Sequence, residues 1–182
     1  MDQGLVPNRY AKALYKFALE NGQAQRVYEL MKQLAASFAE ESNLQQVVAN
    51  PFVPVEDKTK LLITAACADS KTDTCYVDFL RLLEDNNRID FIRQIALSYE
   101  TLYRKENNIY KVSVVTAAQL PADEIKRLHD LVEQHLNGGS MEFTQSIDPD
   151  LIGGFVININ SERLDASVSN ELKQLRLQLL SN

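Results

Sequence analysis

The hydrophobic period changes once along this chain, near residue 107, and that single change limits the fold more than any motif does. From Asn8 to about Asn107 apolar residues recur every three to four positions, the spacing of a helix face; from Ile109 onward alternation and β-branched residues take over. A helical first part followed by strands mixed with helices predicts an α+β chain. With 182 residues, two small domains are affordable in core size. The expected division is 1–106, a six-helix bundle, and 107–182, a small α/β domain with a short sheet and two helices.

Within the first part, the stop signals set the helices. Residues 9–21 read as a helix ended by Asn21-Gly22, which tolerate a left-handed backbone. A second helix over 23–41 follows, and Ser42 is expected to cap a short third that Asn50-Pro51 terminates. Pro54 opens a fourth helix with Glu56 and Asp57 in its first turn, where acidic groups favour the positive end of the helix dipole. A fifth over 74–85 stops at Asn86-Asn87, and a sixth from Arg88 places Ile89, Ile92, Ala96, Tyr99 and Tyr103 on one face.

In the second part, residues 109–116 read as a strand and Pro121 starts a helix that ends at Asn137-Gly138-Gly139. Residues 141–147 and 155–159 alternate again and are expected to be neighbouring strands, joined through Asp148-Pro149-Asp150 and Gly153-Gly154. Val168, Leu172, Leu175 and Leu179 then predict a terminal amphipathic helix.

Several kinds of chemistry find no support. A net charge of -6 gives no footprint for nucleic acid, which needs clustered cations to displace counterions from phosphate. No run of apolar residues is long enough to span a membrane, and the first residues lack a basic-then-apolar leader or an Arg- and Ser-rich transit pattern. Gly153-Gly154 lack the lysine of a phosphate-cradling loop. His129 and His135 are six apart on a helix and so on different faces, and Asp148 and Asp150 are not followed by further oxygen ligands at calcium-loop spacing. Neither a metal nor a cofactor is expected. Cys67 and Cys75 fit no metal or disulfide pattern and are expected to be small packing residues. Residue types alone do not locate a catalytic triad, whose members converge in space rather than in sequence.

Binding is better supported. In the first helix only Lys12 and Lys16 interrupt an apolar surface running from Tyr10 to Leu19, wider than one core-facing stripe requires. Ala11, Leu14 and Ala18 form one line and Tyr10, Ala13 and Phe17 another. On the fifth helix Tyr76, Phe79, Leu80 and Leu83 make a stripe that Cys75 and Leu82 extend sideways. Two readings follow: a central helix buried all round, or a helix with a second face for a partner's amphipathic helix.

Three stretches decide between them by resemblance. Asp148-Pro149-Asp150-Leu151-Ile152-Gly153-Gly154-Phe155, followed by Leu164-Asp165-Ala166-Ser167-Val168, resembles the C-terminal signature of the ATP synthase delta subunits, the family that includes the mitochondrial oligomycin-sensitivity-conferring protein. Arg9-Tyr10-Ala11-Lys12-Ala13-Leu14 and the stretch from Phe79 to Ile89 are similar to further segments of it, with Asn87 where glycine is common. Asp165 is expected to cap the last helix. The resemblance implies a non-catalytic stator subunit at the cytoplasmic face of a bacterial inner membrane. Its helical domain would receive the N-terminal helix of one alpha subunit in a groove between the first and fifth helices, with Tyr10, Ala13, Phe17, Phe79 and Leu82 as the floor. Its second domain would meet the C-terminal ends of the b subunits. The rivals are a general helical adaptor outside ATP synthase and an enzyme whose site is assembled from scattered residues.

Overall fold

A computed structural model describes residues 5–69, 73–136, 138–160, 162–170, 172 and 173. The fold is mixed α+β, and the chain separates into two compact units, Met1–Arg104 and Lys105–Asn182.

The helical part comprises α1 (Leu5–Glu20), α2 (Ala24–Glu40), α3 (Ser42–Ala49), α4 (Val55–Ala65), α5 (Thr74–Asp85), a 3-10 turn (Ile89–Phe91) and α6 (Ile92–Glu106). Helix α1 begins four residues before the expected Arg9. Pro7 lies in its first turn, where the missing N–H has no intrahelical partner to lose. Three helices end in the same way. Gly22, Cys67 and Asn87 adopt φ of 67°, 54° and 51° after α1, α4 and α5. In each case this residue's own N–H and that of the residue after it return to the last-turn carbonyls, as when Asn87 donates to Glu84 at 2.9 Å and Arg88 to Leu83 at 2.8 Å. Cys67 is therefore an exposed helix stop, contrary to its expected role as a packing residue, while Cys75 is buried. Ser42 does not cap α3 either. Glu41 is at once the C-cap of α2 and the N-cap of α3, so Ser42 is already helical and its hydroxyl makes no cap bond.

The core of this unit is apolar but tied by a few polar bonds. Tyr76, fully buried, donates its hydroxyl to Leu62 O at 3.0 Å, and Tyr99 donates to Ala24 O at 3.1 Å. Burial pushes both phenols above their ordinary range. Asp73, almost completely buried ahead of α5, accepts two hydrogen bonds from the Arg26 guanidinium at 2.8 and 2.9 Å and one from Asp69 N–H at 2.7 Å. This clamp joins α2 to the start of α5, and the Arg26 hydrogen bond holds the Asp73 carboxyl below the usual carboxylate range.

The second unit contains β1 (Ile109–Thr116), α7 (Ala122–His135), β2 (Ser140–Ile147), β3 (Gly154–Ile159) and β4 (Glu162–Ser167), in the sheet order β2-β1-β3-β4. Strands β2 and β3, expected as neighbours, are separated by β1. The crossover through α7 lays β2 parallel to β1, Val112 opposite Phe143, and β3 then returns antiparallel on the other side, Val114 opposite Ile157. Val112, Val114, Val132, Leu136 and Ile157 form the buried core between α7 and the sheet. Strand β4 carries no alternating apolar pattern. It forms as the antiparallel partner of β3, entered past Asn160 at φ 51°, whose side chain accepts a hydrogen bond from Lys111 N–H at 3.0 Å. Residues 168–170, 172 and 173 are helical, which includes Val168 and Leu172; Leu175 and Leu179 lie outside the described residues. No helix among the described residues is long and apolar enough to cross a membrane.

Candidate functional site

Helix α1 is two-faced. Pro7, Ala11, Leu14 and Ala18 are buried, whereas Ala13 is exposed and Phe17 and Leu19 keep 43% and 59% of their surface in solvent. The reading of α1 as a helix buried on all sides therefore does not hold. Residues 6, 9, 10 and 13, spaced three to four apart, form one wall of a surface groove of about 360 Å³, and Leu82 and Arg88 form the other. The Asn87 stop turns the chain sharply at the end of α5, so that Arg88 comes to this wall.

The structure thus brings Tyr10, Ala13 and Leu82 together in one groove. Phe79 lies beneath it, 6% exposed, with its ring 6.5 Å from that of Tyr10 in an edge-on arrangement. Phe17 lies one turn beyond Ala13 on the exposed side of α1 and does not line the groove. Val6, Arg9 and Arg88 were missed as lining residues. Val6 precedes the expected start of α1, and the two arginines stood inside the family-like stretches without an apolar pattern to single them out.

The signature residues of the second unit build a junction. Asp148 accepts a hydrogen bond from Asp150 N–H at 3.0 Å across Pro149, so this carboxylate folds its own turn. Gly154 has φ 79°, and a Cβ there would lie 2.2 Å from Ala166 O on β4. A Cβ on Gly153 would press on Val168 at 3.1 Å. Asp165 is in β4 and does not cap the last helix itself. Its carboxylate accepts from the Ser167 hydroxyl at 2.6 Å and from Ser167 N–H at 3.1 Å, which lowers its pKa, and the Ser167 hydroxyl in turn accepts from Asn170 N–H at 3.2 Å. Ser167 is the cap and Asp165 orients it.

A second groove, of about 430 Å³, lies between α7 and the sheet, lined by Leu128, Leu131, Val132, Phe155, Ile157 and neighbouring residues of β3 and β4. Its lining is mostly apolar, with Glu162 and Arg163 at one edge, and Leu131 and Leu164 are each 61% exposed. On α7, His129 shares the surface with Asp130 and Glu133, its Nδ1 3.8 and 3.9 Å from their carboxylates, beyond hydrogen-bond length. These three groups lie close enough to surround an ion, yet they are solvent-facing side chains of one helix.

The chain is similar to known proteins over almost all of its length. The family model described as ATP synthase delta (OSCP) subunit matches residues 6–179. ATP synthase subunit delta of Parabacteroides distasonis is 37% identical over 182 residues, covering 100% of this chain and 99% of that protein. The same subunit of Phocaeicola vulgatus is 36% identical over 178 residues, covering 98% and 95%. A chain in the cryo-EM structure of the Toxoplasma gondii mitochondrial ATP synthase hexamer shares the fold, with a TM-score of 0.71 at 22% identity over 96% of this chain and 97% of that one. The chain belongs to the ATP synthase delta (OSCP) subunit family.

Proposed function

We propose that this protein holds the catalytic head of an F-type ATP synthase to its peripheral stalk through two separate surfaces. It is a non-catalytic subunit of the complex, and its task is mechanical: to keep the head still while the central rotor turns. Residues 1–106 act as a six-helix bundle whose α1–α5 groove receives the N-terminal helix of one alpha subunit. Residues 107–182 meet the C-terminal ends of the b subunits, for which the apolar groove between α7 and β3–β4 is the most suitable surface. The assembly lies on the cytoplasmic face of a bacterial inner membrane.

The observation that carries this reading is the exposed second face of α1. Tyr10 and Ala13 leave a shallow trough opposite Leu82, with the small Ala13 letting a helix approach closely. An apolar helix face laid there would remove surface worth about 25 cal/mol per Å² from water, before ordering costs are subtracted. Load on such a contact requires slow release, which aromatic anchors such as Tyr10 supply.

Calorimetric titration with a peptide of the first twenty or so residues of the same organism's alpha subunit tests the reading. One-to-one submicromolar binding supports it. A folded protein that gives no heat at several temperatures would make a general helical adaptor the better description.

A further inference from the structure

Two cations stand on the walls of an otherwise apolar groove. Arg9 lies between Val6 and Tyr10 on α1, and Arg88 sits just past the left-handed stop of α5; both line the trough with Ala13 and Leu82. Among the described residues, no carboxylate is within ion-pair distance of either one. Arg88 instead lies over the Phe91 ring at 5.9 Å, which orients the guanidinium while leaving its N–H groups available. Of the other four arginines of the same unit, Arg26, Arg81 and Arg104 are engaged, while exposed Arg93 on α6 has no carboxylate partner among the described residues. Arg81, seven residues back on α5, bonds Asp78 at 3.2 Å; Arg26 is held by Asp73, and Arg104 by Glu100 at 2.6 Å. The chain as a whole has 25 acidic and 19 basic residues, so two cations on one trough, neither paired among the described residues, run against the overall charge.

We propose that Arg9 and Arg88 read carboxylates on the segment that docks in the α1–α5 groove, so that the occupant is an amphipathic helix with acidic side chains flanking its apolar stripe. The inference rests on the docking reading above and adds the chemistry by which the partner is chosen. An occupant covers both guanidinium groups. With neutral or basic side chains above them, it would leave two cations partly desolvated without a counter-charge, which is unfavourable; carboxylates convert that cost into charge-assisted, fork-shaped hydrogen bonds. The apolar floor then supplies affinity, and the arginine pair supplies direction along the groove and rejection of basic helices.

The test uses the full chain and a synthetic peptide of the alpha subunit's first twenty or so residues, against the same peptide with every Asp and Glu replaced by Asn and Gln. Arg9→Gln and Arg88→Gln are each expected to weaken binding of the acidic peptide about five- to tenfold, and the double variant about thirty- to a hundredfold, each with an unchanged circular dichroism spectrum. Arg88→Lys should recover part of the loss. The neutral peptide should bind the double variant at least as tightly as wild type, because the variant leaves no uncompensated cation under it, and wild-type affinity for the acidic peptide should fall as salt rises from about 0.05 M to about 0.5 M. Tight binding that is indifferent to salt and unchanged in the double variant would overturn the charge-reading role while leaving the docking site intact. A folded wild-type protein that binds neither peptide would overturn the docking reading, and the arginine role with it.

Discussion

The ring of Phe79 on α5 lies 6.5 Å from the ring of Tyr10 on α1, the planes inclined at 67°, and only Tyr10 reaches the groove. One aromatic contact thus joins core to surface: Phe79 supports, Tyr10 presents. Substitutions on the two sides of this layer should separate stability from binding. Phe79→Ala is expected to destabilise the protein by about 3–5 kcal/mol, because it opens a cavity under α1. Ala13→Asp, at an exposed helical position, should cost less than about 1 kcal/mol in stability yet weaken binding of the alpha-subunit peptide at least tenfold by placing a charge over the apolar trough. Denaturant unfolding and calorimetric titration of the two variants check both halves, and unchanged affinity in Ala13→Asp would remove that residue from the site.

The Arg26–Asp73 clamp makes stability depend on acid. Asp73 has a lower pKa in the folded chain than in the unfolded one, chiefly through the Arg26 hydrogen bond. The unfolded chain therefore takes up the proton first. The stabilisation is complete above the ordinary carboxylate value and is lost as pH falls through the folded value, so the window lies below about pH 4. Arg26 is 46% exposed, which screens the pair. Asp73→Asn should be less stable than wild type by about 1–3 kcal/mol at neutral pH, and the difference should shrink between about pH 4 and pH 2. A gap constant across that range in urea titrations would show that the carboxylate charge contributes nothing.

Cys67 occupies a left-handed position at the end of α4, where a Cβ is a steric cost and glycine has none. Cys67→Gly should stabilise the helical unit by about 0.5–1 kcal/mol, less the extra freedom glycine adds to the unfolded chain. The two thiols should also differ in reactivity. Exposed Cys67 should react with a disulfide reagent in the native protein, whereas Cys75, buried and with its thiol pKa raised by that burial, should react only on unfolding.

Gly154 offers the most severe single change in the second unit. A methyl group there would meet Ala166 O at 2.2 Å from a backbone at φ 79°, so strain and clash act together. Gly154→Ala should destabilise this unit by more than about 3 kcal/mol, read as an early transition in thermal unfolding, while alpha-peptide binding by the helical unit persists. Ser167→Ala, which removes the cap of the helix that follows β4, should have a milder effect of about 1 kcal/mol.

Local chemistry settled much of this protein before any tertiary contact is considered. The change of period at Ile109, the stops at Asn21-Gly22, Asn50-Pro51 and Asn86-Asn87, and the two apolar lines on α1 depend only on neighbours three or four residues apart, and the elements follow them. Tertiary structure decided the rest. Strand β4 exists because β3 has an open edge to pair with, since Glu162–Ser167 carries little strand preference of its own. Strand β1 lies between β2 and β3 because a crossover helix enforces parallel pairing, a constraint between segments some thirty residues apart. Phe79 and Leu82 sit on one short helix and were both expected in the groove floor; packing against α1 buried the first and left the second on the groove wall. The arginines were the least legible, because a charged side chain beside an apolar trough acquires meaning only when the chain has turned at Asn87 and set Arg88 on the wall across from Arg9.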